Sequence, residues 1–267
     1  MAKKIKLLNK YAVVTGASKG LGYEYCKELL KKGYNIIGVA RNASNLNNLK
    51  TEFVGQKIIA WNFDLSVFEN NVELIKKCQD YDTEIFINNA GYGVWGFFTQ
   101  SDVDQEMNMI ELNIKSLHYL TKKMIIKFDE QGYGRVINVG SMAAFTPGPV
   151  FASYYASKAY VFSLGLAINT ELKKTKSKAR VLTVCPGPLK TDFWNRSSNQ
   201  KEAKYKSTIK VMSTSTYAKK SLNTALKTNK KDYIVTGLTN KLVKKITKWA
   251  PLSITLSSVY KYQKNRK

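Results

Sequence analysis

The amino-acid sequence predicts a single α/β domain built on a doubly wound parallel sheet of about seven strands. Three observations predict it. Short apolar runs alternate along the chain with longer segments of helical period, the pattern of repeated βα units. A glycine-rich turn joins the first apolar run to the first helical segment. No internal repeat and no Pro/Gly linker divides the 267 residues, a length that α/β units often reach as one domain.

Strands are expected at Tyr11–Thr15, Asn35–Val39, Lys57–Asn62, Glu84–Asn88, Arg135–Val139, Arg180–Val184 and Asp232–Val235. Helices are expected near Gly20–Lys32, Ala43–Phe53, Ser66–Cys78, Asp102–Phe128, Ala152–Lys174 and Thr216–Thr228. Lys190–Met212 is polar and poorly periodic, so it reads as an insertion after the sixth strand. The main unit then runs over residues 1–237, and residues 238–267 form a basic extension expected to dock on it.

Composition narrows the chemistry. The apolar fraction of 44% is ordinary for a globular protein. Met1–Asn9 carries no apolar signal region, and no stretch reaches the roughly 18 apolar residues of a membrane span. Cys26, Cys78 and Cys185 are odd in number, widely spaced and form no CxxC, which suits a reduced, cytoplasmic chain. His118 is the only histidine, so the usual ligand set of zinc dehydrogenases is missing and His-dependent triads are hard to build. No metal is expected. The net charge of +24 is the unusual quantity: from Lys201 onward there are 17 Lys+Arg against 2 Asp+Glu. Such a skew fits an anionic partner, and it equally fits a lysine-rich composition spread over solvated faces.

Thr15-Gly16-Ala17-Ser18-Lys19-Gly20-Leu21-Gly22 follows an apolar strand and opens a helix. Glycines there let the backbone turn tightly and approach a pyrophosphate, while amides at the helix N-terminus face the phosphates. The second strand ends Gly38-Val39-Ala40-Arg41, with no carboxylate to take the ribose 2′-hydroxyl of NAD. Arg41 there and Lys19 in the turn favour the 2′-phosphate of NADP(H). Asp64 and Leu65 close the third strand; Asp64 meets the adenine edge or simply occupies a strand–helix junction. Asn89, Ala90 and Gly91 close the fourth, at the carboxyl edge where open α/β sheets bind ligands.

Ser141 follows the fifth strand. Thirteen positions on, Tyr154 and Lys158 stand at i and i+4, on one helical face. An ammonium beside a phenol stabilises phenolate, making the phenol a better acid toward a developing alkoxide, and a serine hydroxyl can bond the same oxygen. Tyr155 competes, since spacing alone places it at i, i+3 from Lys158.

Taken in order, the phosphate turn, Asn88-Asn89-Ala90-Gly91, the Ser141–Tyr154–Lys158 set and Pro186-Gly187-Pro188-Leu189-Lys190-Thr191 resemble the short-chain dehydrogenase/reductase family over residues 10–237. The resemblance implies a Rossmann-type fold and hydride exchange between NADP(H) and a small-molecule carbonyl or alcohol. It implies that Tyr154 is the acid/base and that Lys158 also grips the nicotinamide ribose. Asn113 would sit in a kinked helix whose backbone supports a proton relay. Pro186, Gly187, Leu189 and Thr191 would lie over the nicotinamide, with Thr191 at its carboxamide.

The extension departs from tetrameric relatives that end soon after the last strand. It looks like the branch of 17β-hydroxysteroid-dehydrogenase-like and 3-ketoacyl-thioester-reductase-like proteins, and a dimer or monomer is expected. Leu242, Val243, Ile246 and Trp249 share a helical face among Lys241, Lys244, Lys245 and Lys248, and Pro251 breaks the helix. That face is expected to pack on the body with the lysines in water; the alternative is a weak contact with anionic membrane. No nucleic-acid motif accompanies the charge. The substrate pocket is expected from Gly93–Phe98, Phe145–Phe151 and Phe193–Met212. Their aromatics Trp95, Phe97, Phe98, Phe145, Phe151, Phe193 and Trp194 suit an apolar or elongated carbonyl compound. The competing class is a non-catalytic NADP-binding sensor or membrane-surface scaffold.

Overall fold

A computed structural model describes residues 8–190, 193, 197 and 211–265. Its centre is a seven-stranded parallel sheet in the order β3-β2-β1-β4-β5-β6-β7. The strands are β1 (Tyr11–Thr15), β2 (Asn35–Ala40), β3 (Ile58–Asn62), β4 (Thr83–Asn88), β5 (Arg135–Val139), β6 (Arg180–Cys185) and β7 (Tyr233–Val235). All six residues of β2 are buried, as a strand covered on both faces requires. Strand order reverses between β1 and β4, which pair directly, so the carboxyl ends of these two strands frame a crevice.

Helices α1 (Gly20–Leu30) and α7 (Thr214–Lys227) cover one face, where Tyr25, Leu29, Tyr217 and Leu222 pack on β1, β2 and β6. On the other, Leu74 of α3 (Phe68–Cys78) and Leu120, Met124 and Phe128 of α5 (Leu117–Glu130) pack on Val13, Phe86 and Val136. The expected helix Ala43–Phe53 is a 3-10 turn, Ser44–Asn47, followed by the short α2 (Asn48–Glu52).

The long helix expected over Asp102–Phe128 is not continuous. It starts as α4 (Val103–Ile110), with Asp102 capping it by accepting from the Gln105 amide at 3.0 Å. A π-helical stretch, Glu111–Ser116, then separates α4 from α5. Such insertions re-aim side chains, and this one carries Asn113. The helix bearing the Tyr–Lys pair, α6, spans Ala152–Lys174 as expected.

Beyond β7 the extension folds as α8 (Leu238–Trp249) and α9 (Leu252–Lys264), divided at Pro251. Gln263 of α9 is buried at 1% exposure, and its Nε2 donates to Tyr155 Oη at 2.7 Å. The expected burial of the α8 apolar face is not found: Leu242, Ile246 and Trp249 are 58%, 55% and 76% exposed. Asn240 and Lys244 hold α8 to the body instead. Asn240 lies against Gly187, and the Lys244 ammonium sits 4.3 Å from the Tyr233 ring centroid. Among the described residues no helix is long and apolar enough to cross a membrane.

Candidate active site

The crevice at the strand-order reversal opens into a cavity of about 1360 Å³, large enough for a dinucleotide and a second molecule. Its floor at one end is the turn from β1 to α1. Gly16 and Gly20 adopt φ of +64° and +59°, a region costly for residues with a Cβ. A Cβ on Gly22 would stand 2.2 Å from the Gly16 carbonyl oxygen, so helix and turn can approach only because position 22 is glycine. Thr15 and Asn89 brace the turn from beneath. Thr15 Oγ1 accepts from the amides of Asn89 and Ala90, each at 3.0 Å, and Asn89 Nδ2 donates to the Thr15 and Gly16 carbonyls at 3.0 and 3.2 Å. Asn89 lines the cavity, but its side-chain amide is committed to the turn.

Ser18, Lys19, Gly20 and Leu21 line the cavity at the N-terminus of α1, and Arg41 lines it at the end of β2. Lys19 and Arg41 are exposed, so both cations can turn toward an anion at the cavity rim. Asp64 and Leu65 reach the cavity from the end of β3. Ser66 donates to Asp64 Oδ1 from its amide at 3.0 Å and from its hydroxyl at 2.7 Å, a strand–helix junction of the Asx type. Glycines spaced for close approach, a helix N-terminus and two cations at the rim fit a nicotinamide dinucleotide.

The other end of the cavity joins Ser141, Tyr154, Lys158 and the Pro186–Leu189 segment. The Gly140 amide bonds to Val184 and the Met142 amide to Pro186, each at 2.8 Å. These bonds bring the ends of β5 and β6 side by side. Ser141 is extended and accepts from the Ala143 amide at 3.1 Å, capping a 3-10 turn, Met142–Phe145. Lys158 is 5% exposed, and its ammonium donates to the Val139 carbonyl at 2.9 Å. Burial pushes its pKa down to about 8. The same ammonium lies 5.8 Å from the centroid of the Tyr154 ring, which stacks on Phe151 at 4.5 Å.

Both tyrosines line the cavity, but their neighbours differ: Tyr154 lies beside Lys158 and Phe193, whereas the Tyr155 hydroxyl accepts from Gln263. Asn113 does not line the cavity. Its Oδ1 accepts from the Tyr92 amide at 3.2 Å, and its Nδ2 donates to the Tyr92 carbonyl at 2.8 Å and to Ser157 Oγ at 3.2 Å. Ser157 in turn donates to the Tyr154 carbonyl at 2.7 Å, so Asn113 ties the Gly91 loop to the first turn of α6. Thr191 and Trp194 lie outside the described residues.

Several expected pocket residues are elsewhere. Trp95, Phe97, Phe98 and Phe145 are not on the cavity wall: Phe97 and Phe98 are exposed, and Phe145 packs on Phe162 at 4.9 Å. The extension supplies the wall instead, with Val243, Ile246, Ile254, Val259 and Tyr262 alongside the buried Gln263. The amphipathic period of α8 and α9 does not announce this wall, because period alone does not say what a helix covers. A polar network that no motif announces lies under the site. Asn88 Nδ2 donates to Thr121 Oγ1 and Asn138 Oδ1, both at 3.0 Å, locking β4, α5 and β5 together. The cysteines are buried and free; burial raises Cys78 and Cys185 to about 12, so neither thiol is a ready nucleophile. Among the described residues no group of three or more His, Cys, Asp or Glu could hold a metal ion.

The chain is similar to known proteins in sequence and in fold. The family model for short chain dehydrogenases matches residues 10–202. An uncharacterised oxidoreductase of Staphylococcus epidermidis is 31% identical over 189 residues, covering 70% of this chain and 80% of that one. A very-long-chain 3-oxoacyl-CoA reductase of Emericella nidulans is 30% identical over 171 residues, 61% of this chain; the match spans about half, 49%, of the reductase. Among solved structures, a short-chain dehydrogenase from Sphingobium yanoikuyae in complex with NADPH superposes with a TM-score of 0.76 at 23% identity, covering 91% of this chain and 96% of that one. A short chain dehydrogenase/reductase from Burkholderia phymatum in complex with NAD gives 0.78 at 17% identity, covering 91% and 94%. At such identities the two superpositions establish the shared fold. With the family model matched over most of its length, the chain belongs to the short-chain dehydrogenase family of oxidoreductases.

Proposed function

We propose that this oxidoreductase reduces the carbonyl group of an apolar or elongated small molecule with NADPH, and that Tyr154 donates the proton. The observation that carries the reading is the buried Lys158 ammonium, held by Val139 at 2.9 Å and set beside the Tyr154 ring in the wall of the cavity. NADPH bound along the α1 turn would supply the hydride. The residues of the chain do the rest. Ser141 orients the substrate oxygen, and the Tyr154 phenol hands it a proton as negative charge develops there. Lys158 stabilises the phenolate left behind, because a cation in a dry site acts strongly on a neighbouring anion. Asn113 is a positioning residue, acting on Tyr154 through Ser157. Phe151, Val243, Ile254 and Val259 supply apolar walls that suit an aliphatic or ring-based chain. Lys19 and Arg41 select NADP(H) by charge, and the enzyme is a dimer or monomer in this reading.

The pH dependence follows from the sign of the Lys158 shift. Its pKa lies below the ordinary lysine value, so the ammonium is present below about 8 and is lost as pH rises through that point. Carbonyl reduction, measured as kcat/KM with saturating NADPH, should therefore fall as pH rises through about 8. A panel of aldehydes, diketones, ketosteroids and ketoacyl thioesters supplies the substrate for that profile. No NADPH oxidation across the panel, or a rate that rises steadily with pH, would defeat the proposal.

A further inference from the structure

Helix α8 is turned the wrong way round for a surface helix. Leu238, Leu242, Ile246 and Trp249 recur at helical spacing on one side and are 84%, 58%, 55% and 76% exposed. The side facing the body carries Asn240, whose Nδ2 donates to the Thr236 carbonyl at 2.8 Å, and Lys244, stacked over Tyr233. Past Pro251 the apolar strip continues through Leu252 and Ile254, which are 60% and 58% exposed. Lys241, Lys245 and Lys248 run along one edge of the strip, all exposed. A row of exposed apolar residues along one helix face with a cationic margin marks an interaction surface.

We propose that this face docks the protein on an anionic lipid bilayer, with Leu238, Leu242, Ile246 and Trp249 in the acyl boundary and the three lysines among the headgroups. Charge decides the occupant. Residues 238–267 hold eight Lys+Arg and no Asp or Glu, so a second copy would bring the same cations to the contact and no carboxylate to meet them. A nucleic acid would engage the lysines and leave the apolar strip in water. An anionic bilayer satisfies both halves at once. Ile246 and Ile254 also line the cavity, so the docked face includes the cavity mouth. If the carbonyl reductase reading holds, an apolar substrate passes from the lipid into the site without crossing water.

The test uses the full chain and no substrate, so it stands or fails apart from the proposed reaction. Co-sedimentation is measured with vesicles of phosphatidylcholine mixed with phosphatidylglycerol, and with phosphatidylcholine alone. The wild-type protein should partition onto the anionic vesicles and only weakly onto the neutral ones. Replacing Lys241, Lys245 and Lys248 together by Gln should lower the anionic partition by about two orders of magnitude. The variant L238E/L242E/W249E should lose at least about tenfold, since each change removes apolar burial and adds an anion. An unchanged thermal melt and NADPH affinity would show that these variants are folded. Wild-type protein that stays in solution with anionic vesicles overturns the proposal. So does a Glu variant that sediments as the wild type does. A lipid-free dimer that the Glu variant dissociates would also overturn it, by assigning the face to a second copy.

Discussion

Tyr154→Phe is expected to lower turnover by about a hundred- to ten-thousand-fold, the range contributed by a positioned general acid. NADPH affinity should stay close to wild type, because the change removes one hydroxyl and leaves the ring stacked on Phe151. Tyr155→Phe separates the two phenols. It breaks the bond from Gln263, leaving a buried amide unpaired at a cost of about 1–3 kcal/mol, and should lower the melting temperature while sparing kcat. Steady-state kinetics and thermal melting on the two variants check both halves. A dead Tyr155→Phe enzyme beside an active Tyr154→Phe enzyme would reverse the assignment.

Removing both cations at the cofactor rim should produce the second large effect. With Lys19 and Arg41 replaced by neutral residues, kcat/KM for NADPH should fall relative to NADH by about two orders of magnitude or more. Each charge-assisted contact to a phosphate is worth about 1.5–3 kcal/mol, and exposure at this rim places the result toward the lower end. NADH should be little affected, since it offers no 2′-phosphate to either side chain. An unchanged ratio of the two kcat/KM values would remove the basis for the NADP(H) preference.

How much of this was legible in the sequence follows from what each signal encodes. β1 and β5 fall on the expected residues because short apolar runs bounded by polar turns leave little choice of register. β2 and β6 each gain one residue, Ala40 and Cys185, whose small buried side chains let pairing continue past the apolar run. The helical period over Asp102–Phe128 gives no sign of a break, but the family resemblance implies a kinked helix at Asn113, and the π-helical turn Glu111–Ser116 is that kink. Gly16, Ser141, Tyr154 and Lys158 all line the cavity, as their fixed offsets from strand and helix ends predict. The rest of the cavity wall was not legible, because α8 and α9 are fixed by contacts distant in sequence: Asn240 on Gly187, Lys244 on Tyr233, Gln263 on Tyr155 and Val259 in the cluster around Phe151. An amphipathic pattern reports that a helix has an apolar face. It does not report which way that face turns.

In the proposed reaction the cavity brings a carbonyl group, a hydride donor and the Tyr154 proton together. Turnover with NADPH carrying deuterium at nicotinamide C4, in ordinary water, tests it most directly. Mass spectrometry of the alcohol produced should find deuterium from one face of the nicotinamide, bonded to the former carbonyl carbon, and Tyr154→Phe should slow its appearance by at least about a hundredfold. Alcohol formed without deuterium from either C4 position, or label transferred equally well by Tyr154→Phe, would contradict the account.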